Sequence, residues 1–114
     1  MILHITTADA WEQAGKAGEY RPPSLLTQGF IHCSLAGQVV AVADALFRGQ
    51  SGLVLLCIDP ARVKAEIRYE GYGQPYPHIY GPLDTGAVTQ VLAFEPGQDG
   101  CFRLPAGIPV PADH

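Results

Sequence analysis

A chain of 114 residues fits one domain, and a 47% hydrophobic content can build a core without the staples that smaller chains need. A formal net charge of −4 argues against general coating of nucleic acid, which takes a basic surface. No apolar run nears the roughly 20 residues of a membrane-spanning helix, and Met1-Ile2-Leu3-His4 does not open like a secretory leader.

Ile2 to Thr6 reads as a short strand. Thr7 then offers an N-cap hydroxyl, with Asp9 and Glu12 at the positive end of the helix that follows and Gly18 able to close it. Tyr20 to Gln28 contains Pro22-Pro23 and is expected to be a loop. Phe30 to Cys33 is a second strand, and Ser34 is the expected cap of a helix whose Val39, Val42, Ala43 and Leu46 share one face. Leu53 to Ile58 is a continuous apolar strand, covered on both faces, and Cys57 within it is a small hydrophobe. Glu66 to Glu70 alternates as a strand, 71–77 is a glycine- and proline-rich loop, His78 to Tyr80 is a short extended piece, and Val88 to Phe94 is the last strand.

The order β-α-β-α-β-β-β-β predicts an α+β fold with two early helices and a mostly antiparallel sheet. Residues 1–94 form a single compact domain, and 95–114 a Pro/Gly-rich tail packed on it or trailing from it. Pro109-Val110-Pro111 has the composition of a polyproline ligand, but a loose tail is the simpler reading. Cys33, Cys57 and Cys101 make neither a disulfide framework nor a zinc pattern, and a cytoplasmic location is expected.

Three of the four histidines fall in strand-like segments with a common pattern. Alternation puts His4 with Thr6, His32 with Phe30 and Ser34, and His78 with Tyr76 and Tyr80, while aliphatic neighbours face the other way. If these polar sets share one cleft, they line a pocket suited to a small polar ligand with a flat ring. The plainer alternative is that each histidine is a hydrogen-bonded structural residue. A zinc site on His4, His32 and His78 is a further alternative, although no close His pair and no neighbouring carboxylate supports it. A His32–Cys33 dyad is excluded because adjacent strand residues point oppositely.

Other patterns carry less. Gly71-Tyr72-Gly73 starts like a dinucleotide fingerprint, but Pro75 forbids the helix that should follow. Glu66 and Glu70 would sit about 13 Å apart on one strand face, too far for a retaining glycosidase pair. Arg62, Lys64 and Arg68, or Arg21 from the proline loop, could meet a phosphate.

Gly29-Phe30-Ile31-His32-Cys33-Ser34 and Pro77-His78-Ile79-Tyr80-Gly81-Pro82, with His4-Ile5-Thr6-Thr7 and Phe47-Arg48-Gly49, resemble the bacterial family called domain of unknown function 952. The likeness runs from about residue 2 to residue 94 and leaves out the tail. That family is grouped with the ADP-ribosyltransferase-like fold, which implies a split antiparallel sheet and a cleft that holds NAD in active relatives. His4 and Thr6 resemble the first-strand pair that binds NAD there, and Phe30 to Ser34 resembles the second block. Many active relatives place a glutamate in a late strand. Here that block is Pro77-His78-Ile79-Tyr80, with no carboxylate of its own.

The resemblance implies binding of NAD or a related nucleotide, with ADP-ribosyl or phosphoryl transfer as the chemistry and His4, His32 and His78 as the catalytic candidates. His4 and Thr6 would hold the nicotinamide-ribose end, and His32 and Ser34 the ribose or phosphate. Tyr76 or Tyr80 would stack on a ring, and Arg21 or Arg68 would meet phosphate. A binding module without catalysis and a three-histidine metal hydrolase are the alternatives. The expected partner is a small nucleotide-type molecule, with neither a membrane nor general nucleic-acid coating expected.

Overall fold

A computed structural model describes residues 1–108. Strand β1 (Ile2–Thr7) runs into helix α1 (Ala8–Ala17), where the Thr7 hydroxyl accepts the Ala10 N–H at 3.0 Å. Gly18 ends the helix in the left-handed region, at φ 83°, and its N–H bonds Ala14 O. The cap, the dipole-facing Asp9 and the closing glycine all act as the sequence indicates.

The Tyr20–Gln28 stretch is more ordered than a loop. β2 (Glu19–Tyr20) pairs with β7 (Leu83–Asp84), and Ser24–Thr27 winds one helical turn, α2, directly after Pro22-Pro23. Proline's fixed φ and missing N–H suit the start of such a turn. Ser34 does not cap α3 (Val39–Leu46). It lies in the sheet, and the helix starts later, where Gln38 Oε1 accepts the Leu35 N–H and Gln38 Nε2 donates to Pro75 O. The expected 71–77 loop is shorter than its composition suggests, because β6 (Tyr76–Tyr80) already includes Tyr76 and Pro77.

Two antiparallel sheets carry the molecule. β1, β4 (Leu53–Ile58) and β8 (Val88–Phe94) make one, in that order. β3 (Ile31–His32), β6 and β5 (Glu66–Glu70) make the other. A single rung joins them, Leu3 with Ser34, through two backbone bonds of 2.8 Å each.

Pro77 explains why β3 is short. Cys33 N–H reaches Pro77 O at 3.1 Å, but Pro77 has no N–H to return to Cys33. The β3–β6 ladder stops there, and the chain crosses to β1 at Ser34.

β4 is buried on both faces, as its continuous apolar run indicates. Leu56 and Ile58 join Ile2, Ile31, Ile79 and Leu83 in one core cluster. Leu53, Leu55 and Cys57 join Leu3, Val39, Ala43 and Phe94 in the other, under α3. The chain after β8 returns to that second cluster. Phe102 is 3% exposed, its ring centroid 4.8 Å from that of Phe94, and its N–H donates to Asp44 Oδ1 at 2.8 Å. The Pro109-Val110-Pro111 reading lies outside the described residues. No helix among the described residues is long and apolar enough to cross a membrane.

Candidate functional site

The rung between Leu3 and Ser34 sets a register in which the next rung would join Ile5 to His32. That rung is not made. His32 O instead accepts a bond from the His4 imidazole, Nδ1 to O at 2.5 Å. Ile5 N–H and C=O face the same side of β1 as those of Leu3, away from β4, and have no partner among the described residues. The sheet therefore splits between Ile5 and His32, and a cleft opens at the split.

His4 holds the split apart. A carbonyl can only accept, so His4 carries its proton on Nδ1. Its Nε2 lies 2.7 Å from Tyr20 Oη, which lies 3.0 Å from Thr6 Oγ1. Burial, opposed in part by the bond to His32 and reinforced by the His32 charge, pulls the His4 pKa down to about 4. In the resulting neutral ring Nε2 is an acceptor, so the Tyr20 hydroxyl donates to it and the Thr6 hydroxyl completes the chain. Both His4 nitrogens are filled. Burial also raises the Tyr20 pKa, with the Thr6 bond opposing. Both hydroxyls stay protonated.

The cleft has a volume of about 380 Å³. Leu3, Val42, Leu46 and Phe47 make its apolar wall, from β1 and α3. His4, His32, Ser34, Tyr76 and His78 are its polar and aromatic lining. The three imidazoles far apart in sequence thus meet at one hollow. Cys33 also borders it, but burial pushes its thiol pKa up, so it stays protonated and is a poor nucleophile.

Four of the expected site residues lie elsewhere. Thr6 and Arg21 border a second cleft beside α1, of about 340 Å³, where Arg21 pairs with Glu19. Tyr80 and Arg68 lie on the outer face of β5 and β6. Arg68 bonds Glu66 at 3.0 and 3.1 Å and stacks 4.4 Å over the Tyr80 ring.

On that outer face one residue has a role the sequence reading did not assign. Glu70 Oε1 accepts from His78 Nδ1 at 2.8 Å and from the Tyr80 hydroxyl at 2.5 Å. These two bonds, that to Tyr80 first, hold its carboxyl below the usual carboxylate range. Glu70 reaches both side chains across the β5–β6 hairpin, where it is the register partner of Tyr76. Eight positions separate Glu70 from His78, so sequence neighbourhood alone does not reveal the pair. Glu70 does not itself border the cleft.

The zinc reading fails on positive grounds. His4 has no free nitrogen, and no group of three His, Cys, Asp or Glu among the described residues is placed to hold a metal.

A small α+β protein with a split antiparallel sheet and a histidine-bordered cleft at the split is the class these observations define. The family described as "Protein of unknown function (DUF952)" matches residues 5–91, and the chain belongs to it. It is similar to the crystal structure of protein CC0527 from Caulobacter crescentus, at a TM-score of 0.83 and 31% identity, over 90% of this chain and 93% of that one. A double mutant of the same protein gives 0.82 at 31% identity over the same shares. Its solution structure gives 0.74 at 32% identity, over 90% and 91%. No curated protein matches the chain.

Proposed function

We propose that this chain binds a nucleotide of the NAD type in the cleft at the sheet split. The observation that carries this reading is the unmade Ile5–His32 rung. At Ile5 it presents one backbone donor and one backbone acceptor together, a match for the edge of a carboxamide or a purine. Tyr76 and His78 give a flat ring something to lie against, and Val42, Leu46 and Phe47 supply an apolar cover. The volume falls within the roughly 300–1,000 Å³ usual for small-molecule sites. The resemblance of the sequence blocks to the ADP-ribosyltransferase-like fold supports the same ligand class. In this reading His32 and Ser34 contact the ribose or phosphate. His4 is a positioning residue that keeps His32 O off Ile5.

Titration of labelled protein with NAD, ADP-ribose and nicotinamide mononucleotide tests the proposal. The amide of Ile5 and the side chains of Tyr76 and His78 are expected to shift, and Val42→Trp to abolish the shifts by filling the cleft. Unmoved resonances at millimolar ligand would remove the reading.

A second reading, transfer from NAD, is favoured by the Glu70–His78 pair alone. Binding is preferred because no carboxylate borders the cleft among the described residues. Release of nicotinamide from NAD, lost in His78→Asn, would select transfer.

A further inference from the structure

We propose that His32 and His78 together form a proton-dependent subsite for a phosphate monoester on the open side of the cleft. This rests on the nucleotide reading and adds which group of the ligand is held, and under what condition.

The register brings the two rings together. His32 and His78 are direct cross-strand partners in β3 and β6. The Cys33–Pro77 bond makes the neighbouring pair the hydrogen-bonded one, so the His32–His78 pair is of the closer, non-hydrogen-bonded kind. Their ring centroids are 5.5 Å apart and the planes meet at 72°.

Each ring is anchored by one nitrogen to an oxygen. His32 Nε2 donates to Gln28 Oε1 at 2.5 Å, and His78 Nδ1 donates to Glu70 Oε1 at 2.8 Å. The proton of each neutral ring is therefore committed to the anchored nitrogen. His32 Nδ1 and His78 Nε2 have no partner among the described residues. In neutral rings these atoms are lone pairs and repel an anion. A second proton on either ring turns its free nitrogen into a donor beside a positive charge, which is what a phosphate oxygen binds.

The surroundings act on the protonated pair in both directions. Phe30 stacks on His78 at 4.1 Å and lies 4.6 Å from His32, and an aromatic face attracts a cationic ring. Of the charged or titratable groups around the pair, β5 contributes Glu66, Arg68 and Glu70, β6 Tyr76 and Tyr80, and β1 His4. Glu66 is engaged by Arg68, and Glu70 by His78 and Tyr80. The α3 wall offers only Val42, Leu46 and Phe47. Burial, and then the charge of His78, lower the His32 pKa, so in the free protein the two rings resist carrying charge together. An anion between them removes that opposition and draws a proton in. A monoester phosphate, whose second pKa lies near 6, brings both the negative charge and the acceptor oxygens that two protonated imidazoles can bind.

Calorimetry on the full chain with AMP and with adenosine, at pH 5.5 and pH 8, separates the two levels of the argument. AMP is expected to bind at least about tenfold tighter than adenosine at pH 5.5, with the preference lost at pH 8. AMP binding near pH 6.5 should take up protons, seen as a heat that varies with the ionisation enthalpy of the buffer.

His32→Gln keeps the anchor on Gln28 and His78→Asn keeps that on Glu70, while each removes the free nitrogen. Either should erase the pH dependence of the AMP-to-adenosine ratio. Tyr72→Ser, at a fully exposed position, should leave the ratio as it is. Equal binding of AMP and adenosine at both pH values, or a preference unchanged at pH 8, overturns the subsite and leaves the nucleotide reading standing. If neither binds, the nucleotide reading falls. Inorganic phosphate then decides the subsite: shifts of both imidazoles at pH 5.5 but not at pH 8 support it, and their absence overturns it.

Discussion

His4 is neutral in the folded chain because it is buried and because both nitrogens already have partners. Its pKa falls from 6.5 to about 4, so between these values the unfolded chain binds a proton that the native one refuses. Stability contributed by the neutral ring is complete above about pH 6.5 and drains away as pH falls toward 4. The shift corresponds to about 3 kcal/mol. Urea unfolding of the wild type is expected to lose about that much across this window. His4→Asn, which keeps a donor for His32 O but cannot titrate, should lack this slope. Equal slopes in the two proteins would show that His4 is not the group responsible. Tyr20→Phe removes the middle hydroxyl of the chain and leaves His4 Nε2 and Thr6 Oγ1 facing each other without it. A cost of about 1–3 kcal/mol is expected from thermal or urea unfolding.

Strand alternation was enough to group His4 with Thr6 and to aim His32 and His78 the same way, because period two needs no tertiary knowledge. It could not say which atoms would fill the His4 nitrogens. One partner, Tyr20, came from a stretch that its prolines marked as loop. The other, His32 O, is a backbone atom that no side-chain pattern reveals.

The β5–β6 hairpin shows what a sequence hides at the level of one element. Glu70 reaches His78 and Tyr80 only because the register sets Glu70 opposite Tyr76, and the glycine- and proline-rich turn between the strands conceals that register. Ser34 was misread for a related reason. Serine before a helical pattern is a common cap signal, but the backbone of Ser34 was needed by Leu3, and Gln38 took over the start of the helix.

The far end of the hairpin depends on a close approach at Gly81. A Cβ there would come within 2.9 Å of Ala65 Cβ, closer than two carbons can sit without movement. Gly81→Ala is expected to destabilise by about 1–3 kcal/mol, and Ala65→Gly in the same chain to recover part of it. A double-mutant cycle from urea unfolding checks this. Additive losses would mean that Gly81 matters for its backbone freedom alone.

Across the molecule, the cleft depends on parts that do not touch it. One wall is α3, and α3 is held down by the chain that follows β8. Asp44 receives the Phe102 N–H, Val39 and Ala43 share a core cluster with Phe102, and Gly49 N–H bonds Gly100 O. Composition alone marked this chain as irregular, and it has no regular element among its described residues, yet Phe102 is a core residue. Proline and glycine content reports on backbone form, whereas burial follows from one aromatic ring meeting Phe94.

Phe102→Ala is therefore expected to cost about 3–5 kcal/mol, a large share of the roughly 6–17 kcal/mol a chain of this size has in total. Leu26→Ser, at a position 94% exposed, should change stability by less than about 0.5 kcal/mol. Hydrogen exchange supplies the sharper readout. In Phe102→Ala the amides of α3 should lose protection before those of β5 and β6, because the second core cluster anchors the helix and the outer sheet draws on the first. Uniform loss across both sheets would show that the molecule unfolds as one unit, and that the α3 wall of the cleft has no independent freedom to open.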